Sequence, residues 1–196
     1  MIARACVVGG LALVLASQPA MAHPPPLGIG GFLGGLLHPL FVPAHVLAVL
    51  ALGVLIGQQA AWTRMAALSF VAGLVTGLGV LTLGVVPALM NEVVLACALI
   101  AGGLVALARP VPEAVGCAFA VVAGFCIALD SPPEAISLTE ANLMLIGTGL
   151  GGALLLIIAV EFARRLKPGW PRVGARILGS WIAASAILVL ALRLAR

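Results

Sequence analysis

The chain is 196 residues long, 63% hydrophobic and 8% charged, with no tyrosine and a net charge of +4; its mean hydropathy is +1.28. Soluble domains carry about a quarter charged residues, so this composition excludes a water-soluble globule and places the chain in a bilayer. The positive balance does not mark a nucleic-acid partner, because the basic residues fall in short clusters between apolar runs, where they orient spans and form no binding face.

The amino terminus has the three parts of a secretory signal: Arg4 in a short charged region, an apolar run from Ala5 to Ala16, and the small-residue site Ala20-Met21-Ala22. The run is too short to cross about 30 Å of hydrocarbon comfortably. Residues 1–22 are therefore expected to be a cleaved signal peptide, leaving His23 as the new amino terminus. Its free amine and ring could chelate together, and the following Pro24, Pro25 and Pro26 space it stiffly from the membrane. Cys6 lies in the wrong context for a lipid anchor.

Next comes "LGIGGFLGGLLHPLF", residues 27–41. Its five glycines weaken a long helix, and a full span here would invert the polarity of every later loop. A short re-entrant or interfacial segment is expected instead, packed against protein as irregular backbone in a membrane must be.

Six apolar stretches then have the length to cross: roughly 43–60, 65–84, 93–108, 114–129, 142–162 and 175–193. The expected fold is all-α, an integral membrane domain over residues 23–196 with six transmembrane helices. Counting from an exported amino terminus, the loops on one side hold Arg64, then Arg109, then Arg164, Arg165, Lys167, Arg172 and Arg176. The two loops on the other side hold no lysine or arginine, and carry Glu92 in one and Asp130, Glu134 and Glu140 in the other. By the positive-inside rule both ends of the mature chain face the periplasm of a bacterial inner membrane; Arg193 and Arg196 at the extreme carboxyl end depart from the pattern. Glycine pairs at small-xxx-small spacing, among them Gly73/Gly77 and Gly147/Gly151, predict close helix packing. Gly147, Gly149, Gly151 and Gly152 are weaker candidates for lining a path.

His38 and His45 carry the sharpest signal. An intramembrane histidine marks an ion or proton path by default, and imidazole suits borderline divalent metals such as nickel, cobalt, zinc and copper. Seven residues on a straight helix are about 10 Å apart, too far for one ion. Pro39 disfavours helix at His38, and Pro43 suits the first turn of the first span, so a hinge is expected that lets the two rings approach. The candidate metal ligands are His38 and His45, then His23, with Asp130 a weaker one because it closes the fourth span. Glu134 and Glu140 could gather cations at the exported mouth or simply be solvated. Glu161 is expected to pair with Arg164 or Arg165 at helical spacing. The spacing of Cys117 and Cys126 excludes a disulfide between them, and Cys97, Cys117 and Cys126 read as small buried hydrophobes.

A signal ending at alanine before histidine, then "GFLGGLLHPL", then a second histidine opening an apolar span, resembles the HupE/UreJ family of hydrogenase and urease accessory permeases. The resemblance implies import of nickel or cobalt, with His38 and His45 matching the family's His-Pro-x5-His pattern. Two differences stand out. Such proteins carry an aspartate just before the second histidine, where this chain has Ala44, and a histidine-rich stretch where this chain reads "LDSPPEAISLTEAN".

The leading expectation is thus a secondary permease for a divalent transition-metal ion, with no tightly bound cofactor; the bilayer and the metal are its partners. The alternative is a non-transporting membrane accessory protein that holds metal, or a maturation protein, for hydrogenase or urease assembly. An enzyme is not expected: no P-loop and no HExxH occurs, and Ser69 and Ser180 have no evident histidine base.

Overall fold

The computed structural model of the chain describes residues 30–59, 61–85, 87–135 and 137–195. The expected signal peptide and His23 lie outside them. The described residues form seven helices and no strand: α1 Gly31–Phe41, α2 Pro43–Gly57, α3 Thr63–Thr82, α4 Met90–Leu107, α5 Glu113–Leu129, α6 Leu138–Arg164 and α7 Trp170–Leu194. Each expected span coincides with one of α2 to α7, with ends shifted by a few residues. The largest shifts have visible causes. Ser137 caps α6 by accepting the Glu140 amide at 3.2 Å, which starts that helix four residues early. Pro171 sits in the opening turn of α7, where its missing N–H costs nothing.

Four helices, α3, α4, α6 and α7, are long and apolar enough to cross a membrane; a fifth span results if α1 and α2, bent by 72°, count as one. At 17 residues, α5 is a shorter apolar helix.

The sequence of α2, "PAHVLAVLALGVLIG", has no polar face, and a helix apolar all round belongs in the interior. Eleven of its fifteen residues are buried. It packs between α4 and α6, while α1 lies on α6, α3 on α5, and α4 on α7. Close approach explains the glycines. A side chain at Gly35 would meet the Met144 carbonyl, and side chains at Gly147 and Gly151 would meet the carbonyls of Phe32 and Leu36. Glycine thus brings the backbones of α1 and α6 together, and Gly147 and Gly151 are filled by α1. Gly149 and Gly152 face the side chains of Leu78 and Leu74. Each of the four thus packs against a neighbouring helix.

The bundle has two chemically distinct ends. At one, the Trp62 indole donates to the Val111 carbonyl at 3.2 Å, tying the α2–α3 and α4–α5 loops together beside Arg64 and Arg109. Glu161 pairs there with Arg164 at 2.7 Å and reaches Arg165 at 3.9 Å, as the helical spacing predicts. At the other end lie the starts of α2 and α4 and the close of α5. There Arg193, a departure from the loop pattern, meets Glu92 at 3.4 Å. Outward faces are apolar, above all on α7, where Trp181, Ile187, Leu188 and Leu192 are exposed.

Candidate metal site

His38 and His45 come together, but the hinge differs from the expected one. Pro39 does not end the helix: α1 runs through it to Phe41, and the His38 carbonyl accepts the Val42 amide at 3.2 Å. Proline forfeits one helical hydrogen bond; here it is buried against the bundle, and the packing of α1 on α6 holds the turn. The chain breaks instead at Val42, extended at φ −95° and ψ 107°, because Pro43 bars helix from the residue before it and then opens α2. His38 therefore sits in the last turn of one helix and His45 in the first turn of the next.

This bend sets the ring geometry. The two centroids are 5.5 Å apart and the planes meet at 61°. Two imidazoles that share an ion at about 2.0–2.1 Å from each nitrogen have centres about 5–6 Å apart, so the spacing fits one ion. A straight helix would separate them by about 10 Å.

Asp130, the weaker candidate, joins the cluster through His45. It closes α5, where its amide donates to the Cys126 carbonyl at 2.9 Å, and its Oδ2 lies 2.9 Å from His45 Nε2. Asn91, in the first turn of α4, donates its Nδ2 to the same oxygen at 2.9 Å. An ionised carboxylate oxygen only accepts, so this contact takes the proton of His45 Nε2, and in the neutral ring Nδ1 is the nitrogen with the lone pair. His45 is fully buried, and Nδ1 has no hydrogen-bond partner. A carboxylate on one ring nitrogen and an open lone pair on the other is the arrangement that orients a metal-ligating histidine and raises its basicity.

Sequence reasoning missed Asn91, which reads as part of a loop break beside Glu92. The available signal was a lone amide in the opening turn of an apolar helix, at the same end as both histidines. The other acids stand apart. Glu134 is exposed, and the Glu140 carboxylate lies against Gly30 at the amino end of α1, where the helix dipole favours an anion. Cys97 and Cys126 are buried and Cys117 is half-buried, all as free thiols. Among the described residues no three or more His, Cys, Asp and Glu side chains gather into a metal cage.

Fold and cluster together define a multi-pass helical membrane protein with two imidazoles and a carboxylate at one end of its bundle. Residues 11–189, nearly the whole chain, match the family model described as HupE / UreJ protein, and the chain belongs to that family. Its membership makes it a nickel/cobalt accessory or permease-like membrane protein. No curated protein and no solved structure matches it.

Proposed function

We propose that this chain is a secondary permease that imports a divalent transition-metal ion, nickel first and cobalt next, across the bacterial inner membrane for metalloenzyme maturation. One observation carries the reading: His38 and His45, 5.5 Å apart across a proline-made bend, with the outer nitrogen of His45 held by Asp130. Two imidazoles without a closed cage suit a passing ion. The rest of its shell comes from water or carbonyls, and such open coordination lets cargo leave.

In this reading α2 and α5 cross with the four long helices to give six spans. A 15-residue helix rises only about 22 Å against about 30 Å of hydrocarbon. Because α2 is wrapped by protein on both flanks, it does not need to match the lipid by itself. The segment α1 lies beside α6 and bends by 72° at Val42 into α2, and this reading takes the end that holds the histidines as the periplasmic one. The scarcity of arginine and lysine at that end supports this orientation. No step needs a catalyst.

The test is uptake of radiolabelled nickel, cobalt, zinc and copper by cells with and without the chain. A permease raises accumulation of nickel, and less so of cobalt. If accumulation of every metal is independent of the chain while hydrogenase or urease maturation still requires it, the accessory reading replaces this one.

A further inference from the structure

We propose that the basic end of the bundle carries a binding site for a phosphate-bearing anion, separate from the histidine cluster. A cavity of about 540 Å³ opens there between the ends of α2, α4 and α6 and the start of α7. That is within the range of small-molecule sites, about 300–1,000 Å³. Four arginines from three parts of the chain line it: Arg109 after α4, Arg164 at the end of α6, and Arg172 and Arg176 in α7. The amides of Gln58 and Gln59 lie beside them, and no acidic residue is in the lining.

All four are exposed, and all four line the same concavity. Two are partly committed: Arg164 to Glu161 at 2.7 Å, and Arg176 through Nε to the Ala106 carbonyl at 2.9 Å, which leaves the terminal amino groups of Arg176 uncommitted. Arg109 and Arg172 have no acidic partner among the described residues. The acids at this end are Glu161, already engaged, and Glu113, outside the lining. Several guanidinium groups around one cavity repel one another, and a bound anion removes that repulsion. The planar fork of arginine matches phosphate oxygens in pairs.

The shared chemistry is a phosphate ester or inorganic phosphate. Two sources can supply it: the headgroup of an anionic phospholipid, since basic pockets between helices on the cytoplasmic side suit such headgroups, or a soluble phosphate. The site stands on these arginines alone and does not depend on metal transport.

The experiment uses the full chain purified into nanodiscs of phosphatidylcholine, alone or with phosphatidylglycerol, and a third arm of phosphatidylcholine with millimolar inorganic phosphate. Native mass spectrometry counts retained anions, and thermal unfolding reads stabilisation. The expected result is retention of phosphatidylglycerol or phosphate, with a higher melting temperature. Arg109→Gln with Arg172→Gln should lower retention at least tenfold, while Arg165→Gln, outside the lining, changes it less than twofold. Retention only in the phosphatidylglycerol arm assigns the site to lipid; retention in the phosphate arm assigns it to a soluble anion. If the double variant does not fold, Arg172→Gln alone carries the test, since Arg164, Arg165, Lys167 and Arg176 preserve the topology signal around it. The proposal is overturned if neither anion is retained, or if Arg165→Gln loses as much as the pocket variants.

Discussion

At His45 one ring nitrogen is committed and the other is open, and the residue that arranges this is Asp130. The 2.9 Å contact orients the His45 ring, and Asn91 holds the carboxylate in turn. Asp130→Asn replaces an acceptor with a group that can also donate, so the tautomer is no longer fixed. Nickel affinity should fall about 10- to 100-fold, read by calorimetry on protein whose helical content is unchanged; equal affinity would remove Asp130 from the site. The same contact bears on Ala44, where the family resemblance leads one to expect aspartate. Ala44 is 5% exposed and His45 already has its carboxylate. Ala44→Asp therefore buries a charge with no ready partner, at a cost on the order of several kcal/mol. It should lower the melting temperature without raising metal affinity, and a tighter, equally stable variant would show that the turn can use a second carboxylate.

Among the elements, α1 matters most, because it delivers His38. Its position rests on backbone contact with α6 at Gly35, Gly147 and Gly151. Gly35→Ala or Gly147→Ala puts a methyl group onto a facing backbone, so the helices must separate. Each should reduce both thermal stability and metal uptake. Gly149→Ala meets only the flexible end of Leu78 and should be close to wild type. Equal behaviour of all three in unfolding and uptake assays would mean that α1 is not held by this contact. The helices themselves were legible in the sequence because apolar runs of spanning length have few other readings. The hinge was half legible: Pro43 breaks the chain at Val42 as its chemistry requires, but Pro39 was overridden by tertiary packing. Local preference could not foresee that the neighbouring helix would hold the turn. Nor could the sequence pair Asp130 with His45, 85 residues away, since nothing local to either residue says which helix ends meet.

For the whole molecule, the separation of charge between its ends is the feature that composition and fold both express. Arg64, Arg109, Arg164, Arg165, Lys167, Arg172 and Arg176 belong to one end; Glu92, Asp130, Glu134 and Glu140 belong to the other, where Glu92 also engages Arg193. A reporter fused at residue 168 should be cytoplasmic, and one inserted after Pro132 periplasmic. The reverse pattern would put the histidines on the wrong side for import. As the proposed ligands of the transported ion, His38 and His45 are tested by radionickel uptake in cells expressing wild type, His38→Ala or His45→Ala at equal levels in the membrane. Each substitution should abolish most of the uptake, because each removes one of the two imidazoles that the described residues bring together. Wild-type uptake by both variants would remove the two histidines from the ion's path.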